Sequence, residues 1–224
     1  MACVVTLIAL LLTTGAAELG ARGLLESRIT DAAERALGPG SDVDIEGGPA
    51  LAALLQRHLD AVTVSSDDAT VGRLPDVSVA ARLEDLRLEG DSATVTRTEA
   101  DVTIPAVSLR TLTAASGGRL PVSAVHPDEA AGTLTLTLGQ GGVGRATLRP
   151  EIEQGRVALR VDSAEVLGRP VPAATADRIQ AGLSAHTDRT YPLALKATSL
   201  DVTATGLKVT LKGGRTRLPP SDMA

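Results

Sequence analysis

Aromatic side chains are nearly missing from this chain: 224 residues contain no Trp, no Phe and one Tyr, Tyr191. Single-stranded nucleic acid is held by stacking bases on aromatic rings, and Trp/Tyr belts anchor proteins at membrane–water interfaces. Neither device can be built on one ring. Any interior is therefore lined by Leu, Val, Ile and Ala, which suits an ordinary core and an aliphatic ligand alike. Asn is absent, and Lys196, Lys208 and Lys212 are the only lysines, a bias that GC-rich coding produces. Cys3 stands alone, so no internal disulfide forms, and metal sites built on paired thiols are excluded. A net charge of −5 and a pI near 5.2 argue against nucleic acid as a partner and against general attraction to anionic surfaces.

What is present is that of a folded domain: 43% hydrophobic and 22% charged residues, in a chain long enough to bury a substantial core. Residues 2–17 (ACVVTLIALLLTTGAA) carry no charge. As a helix they reach roughly 24 Å, short of the roughly 30 Å hydrocarbon core. That length fits a signal-peptide core or an N-terminal anchor, and Thr14, Gly15 and Ala16 supply a small-residue cleavage site. A buried core helix is the competing reading. We expect residues 1–17 to be this leader, 18–215 a single α+β domain, and 216–224 a flexible tail.

Along the domain, spacings of three and four predict a helix over residues 19–37, stopped by Gly38-Pro39-Gly40. Alternation predicts a short strand over 42–46, and Pro49 opens a second helix containing Leu51, Leu54 and Leu55. The period then changes to two. Strand material around Leu59, Val62, Val64 and Val71 is interrupted by Asp67-Asp68, followed by a long, bulged strand over 77–88 and its hairpin partner over 93–104. A third helix over 106–115 presents Leu109 and Leu112. TLTLTL at 133–138 is the clearest strand, and further strands follow over 145–152 and 157–167. A fourth helix over 173–185 presents Ile179 and Leu183, and a hairpin turned at Thr205-Gly206 closes the fold. Strands joined by tight turns predict one long antiparallel sheet covered on its apolar face by the helices.

Chemistry-bearing motifs are sparse. His58, His126 and His186 lie in no G-x-S-x-G or H-E-x-x-H frame, although a triad assembles in space and leaves a hydrolase reading open. GQGGVG at 139–144 lacks the Lys-Ser/Thr of a P-loop and continues into a strand, so it reads as a hairpin loop. Asp67-Asp68 and Asp128-Glu129 lack calcium-loop spacing and read as solvated turns; no metal or cofactor site is expected. The remaining constellation is aliphatic. Leu51, Leu54, Leu55, Leu109, Leu112, Ile179 and Leu183 are expected to face one sheet. Without large rings between the layers, they line either an acyl-chain groove or a solid core.

Several stretches resemble the LmeA-like phospholipid-binding family of actinobacterial envelopes. These are AERALG at 33–38, VDIEG at 43–47, the short helix 49–55, HLDAVTVS at 58–65 and LDVTATGLKVTL at 200–211. The likeness spans roughly residues 19–215. It departs at Gly48-Pro49-Ala50-Leu51, where the family has an aromatic near the proline. The resemblance implies an exported or membrane-anchored envelope protein with an elongated fold similar to tubular lipid-binding domains. Phospholipid or phosphoinositide is its implied ligand, and no catalytic residues carry over. The leading expectation is thus a non-enzymatic lipid-binding protein holding acyl chains in an aliphatic groove. The alternative is an interaction module that assists an envelope glycosyltransferase in glycolipid or mannan synthesis, without a lipid cavity.

Overall fold

The computed structural model describes residues 41–47, 56–71, 74–89, 92–115, 122–139, 141–187 and 191–218. The leader, the helix over 19–37, the short helix with Leu51, Leu54 and Leu55, and residues 219–224 lie outside these. What is described is mostly antiparallel sheet with few helices. Strands β1 (Asp42–Glu46), β2 (His58–Val71), β3 (Leu74–Glu89) and β4 (Ser92–Pro105) form a meander. Helix α1 (Ala106–Ala115) follows, then β5 (Val122–Asp128), β6 (Thr133–Leu138), β7 (Gly144–Glu153), β8 (Arg156–Val166) and the two-residue β9 (Arg169–Pro170). Helix α2 (Ala173–Thr187) leads through a 3-10 turn (Pro192–Ala194) into β10 (Lys196–Thr203), β11 (Gly206–Gly213) and β12 (Thr216–Leu218).

The expectation of one sheet is corrected: there are two. The first runs β1-β2-β3-β4-β11-β10 with β12 also on β4, and the second runs β5-β6-β7-β8-β9. The break falls at α1, which lifts the chain off β4 after Pro105. The closing hairpin then returns to the edge that β4 left open, with Leu207 opposite Ile104 and Leu211 opposite Ala100. Residues 216–218, expected in the flexible tail, form β12 instead. β4 outlasts β11, and Thr216 to Leu218 pair with its uncovered start at Val95, Thr94 and Ala93. β2 likewise runs unbroken through Asp67-Asp68, because a register shift between Ser66 and Ala69 absorbs the acidic pair as a bulge.

Pairing fixes which side chains share a face. Val43, Val64 and Ala81 stand in one cross-strand row, and Ile45, Val62, Leu83 and Thr98 in another. Val79, Val102 and Val209 continue the same face toward β11. The opposite face carries an ion-paired ladder. Glu46 takes a hydrogen bond from Arg82 at 2.7 Å, Glu84 takes one from Arg97 at 3.0 Å, and Lys212 meets Glu99 at 2.9 Å. The first sheet is therefore amphipathic along its length.

The second sheet closes over the β11 end of that apolar face. Leu134, Leu136, Ala146 and Leu148 pack with Leu109 of α1 and Leu207 of β11 in one buried cluster. A second cluster at the β1–β2 end holds Leu59, Val62, Leu86 and Val95, with Val43, Ile45, Val64 and Leu83 half-buried against it. The joint between the layers uses the only aromatic: the Tyr191 hydroxyl accepts from the Val157 amide at 3.1 Å, and Ala197 N–H donates to the Gly155 carbonyl at 2.8 Å.

Candidate functional site

Two regions of the described residues have the makings of a site. The first is the aliphatic face of β1, β2 and β3. Its cross-strand pair Val43–Val64 and its neighbours Ile45 and Leu83 are half-buried. The described helix on this sheet, α1, touches β3 and β4 and leans on β5 of the second sheet. The surface therefore keeps aliphatic side chains in reach, with no ring among them.

Of the residues expected to hold acyl chains, Leu109 is buried on α1 within the cluster it shares with the second sheet. Ile179 is half-buried on α2, which packs along β8. Leu112 and Leu183 fall within α1 and α2, and their side chains lie outside the described residues, as do Leu51, Leu54 and Leu55 altogether. Leu109 and Ile179 thus sit on different helices, each against the second sheet. Sequence reasoning passed over the sheet's own contribution, Val43, Ile45, Val64 and Leu83. The signal was there: an alternating VDI at 43–45 and AVTV at 61–64, whose paired faces only the register reveals.

The second region is an open, polar cleft of about 550 Å³ on the outer face of the second sheet. It is lined by His126, Asp128 and Glu129 from the β5 end, Thr135 and Thr137 from β6, and Arg145 from β7, with Ala204 closing one side. Register explains the grouping: His126 lies opposite Thr135, and Thr137 opposite Arg145. The strict TLTLTL alternation puts every Thr of β6 on one face and every Leu on the other. His126 lies in an edge strand that runs into the turn at Glu129, and that strand accepts Pro127 because its amide is not needed by a neighbour.

His186 falls within α2, its side chain outside the described residues, and His58 is held by carboxylates. His58 Nε2 lies 3.3 Å from Asp60 and Nδ1 3.4 Å from Asp85. Asp85 also accepts from the Thr96 hydroxyl at 2.7 Å, and this bond holds its carboxyl below the usual range, opposed by desolvation and assisted by Arg87 and the His58 charge. Among the described residues no group of three or more His, Cys, Asp or Glu side chains is placed to hold a metal ion.

No curated protein and no solved structure matches the chain. The sequence model of a family described as LmeA-like phospholipid-binding matches residues 16–212.

Proposed function

From the premise that this chain belongs to the LmeA-like phospholipid-binding family, we propose that it binds phospholipid without catalysing a reaction on it. In this reading the acyl chains lie on the aliphatic face of the first sheet, over β1–β3. The carrying observation is that face itself. It is a curved, unclosed sheet of long strands whose Val43, Ile45, Val64 and Leu83 are half-buried while the reverse side carries a row of ion pairs. Each methylene placed there gains about 0.8 kcal/mol, so a long chain is held without a dedicated polar contact. The apolar leader supports a place in the cell envelope, secreted or tethered to the membrane, and the elongated sheet supports a groove of the tubular lipid-binding kind.

Native mass spectrometry of the protein purified from its host tests this reading. Bound phospholipid is the expected result, and extraction with organic solvent should release it. A protein that carries none, and moves none between vesicles in vitro, would leave the interaction-module reading in its place.

A further inference from the structure

The turn between β8 and β9 is made by Leu167 and Gly168, both at positive φ (52° and 71°). Two-residue turns of this hand favour Asn, Asp or Gly. Leu167 instead carries left-handed backbone strain with its side chain 77% exposed. Its amide donates to the Val143 carbonyl at 2.8 Å, which ties the GQGGVG loop to the same tip. Val143 and Val166 are 37% and 39% exposed beside it. A Cβ on Gly141 or Gly168 would meet nothing within 4 Å, so the tip stands clear of the body. Arg145 and Arg169 flank it, both exposed. Neither is engaged by a carboxylate among the described residues, although Glu165 lies opposite Arg145 in register.

A core does not use an exposed, strained leucine, and a solvated turn has no need of one. Apolar side chains projecting from the tip, with exposed guanidiniums just behind, match the layers of a lipid–water boundary. The aliphatic groups enter the acyl edge while the arginines meet phosphates. We propose that this end of the second sheet, Val143, Val166 and Leu167 with Arg145 and Arg169, is the surface by which the protein docks on a phospholipid bilayer. The proposal rests on the phospholipid-binding reading and adds where the membrane is met. Arg145 also lines the polar cleft, so the docking tip and the cleft are continuous.

Flotation of the full chain with phosphatidylcholine vesicles, with and without roughly 30% phosphatidylglycerol, tests it. Wild type is expected to float. Leu167→Gly should lower vesicle partitioning about tenfold while its melting temperature stays level or rises, since glycine is at ease at this φ. Arg145→Gln with Arg169→Gln should weaken binding to the anionic vesicles more than to the neutral ones. All variants should still retain phospholipid delivered in detergent, read by native mass spectrometry. Wild type that does not float, or a Leu167→Gly variant that floats equally well, overturns the docking surface. So does loss of detergent-delivered lipid in that variant, which would make the tip part of the ligand site. If wild type retains no lipid from detergent either, the phospholipid reading itself fails.

Discussion

Asp85 shows how one residue can hold an apolar stripe together. On β4 the buried positions step by three from Val95 to Thr98, on β2 Leu59 and Val62 are buried three apart with Ala61 also buried between them, and on β3 Leu83 and Leu86 stand opposite them. Strict alternation would send Leu59, Leu86 and Val95 to the far face, yet they pack in one cluster with Val62 and Leu83. Between Leu83 and Leu86 sits Asp85 at φ 54°, a left-handed conformation that Asp and Asn tolerate better than most residues. Its carboxyl is held below the usual range chiefly by the Thr96 hydroxyl. A depressed folded-state pKa means the carboxylate's contribution to stability is present above about pH 4 and is lost as pH falls through the folded value. Glu46, lowered by its hydrogen bond from Arg82, acts in the same direction. Asp85→Asn keeps a residue suited to the backbone and removes the titration. Thermal melts from pH 6 to pH 2 should therefore fall less steeply for the variant than for wild type, with the two curves converging at the acid end. Parallel curves would mean that Asp85 is not linked to folding.

At the scale of elements, the edge of β8 carries a second testable device. Among the described residues only the brief β9 pairs with that side of β8, and Gln180 of α2 occupies the rest as a neighbouring strand would. The Gln180 carbonyl accepts from Val161 N–H at 2.8 Å, and its amide donates to Leu159 C=O at 3.0 Å. Covering an open edge this way blocks pairing with other chains. Gln180→Ala should destabilise by about 1–2 kcal/mol in urea unfolding. Gln180→Glu should cost more, because a carboxylate cannot donate to Leu159, and the Val161 amide should exchange faster in both. The two helices and most strands were legible in the sequence, since periods of two and of three to four survive any tertiary arrangement; the strands over 42–46 and 133–138 matched to the residue. β5 was not legible, because Pro127 and the irregular VSAVHPD hide its alternation. The division into two sheets was hidden for another reason. It depends on β4 pairing with β11, a contact across about a hundred residues that no local pattern encodes.

Taken whole, the molecule sets a wet face against a fatty one. The side chains of the ladder Glu46, Arg82, Glu84, Arg97, Glu99 and Lys212 are 35% to 70% exposed, and such pairs add little stability individually. What they do is fix which side of the first sheet meets water, leaving the Val43–Val64 side, in our proposal, for acyl chains. Sequence periodicity named helix residues for that lining, whereas the strand residues of this face emerged only from register. They also offer a cleaner test than the leucines, because valine can be exchanged for threonine at nearly constant shape. Val43→Thr with Val64→Thr puts two hydroxyls on the face without opening a cavity. If the face is packed solely with protein, the double variant should lose about 1–3 kcal/mol of stability for each buried hydroxyl that finds no partner, and lipid occupancy should not move. If lipid lies there, occupancy by native mass spectrometry should drop about tenfold, with the melting temperature of the lipid-free protein little changed. Arg82→Gln on the opposite face serves as the control: it breaks the bond to Glu46 and should leave bound lipid as it was. An equal loss of lipid in that control would mean that the two faces are not functionally separate, and the groove would have to be sought elsewhere.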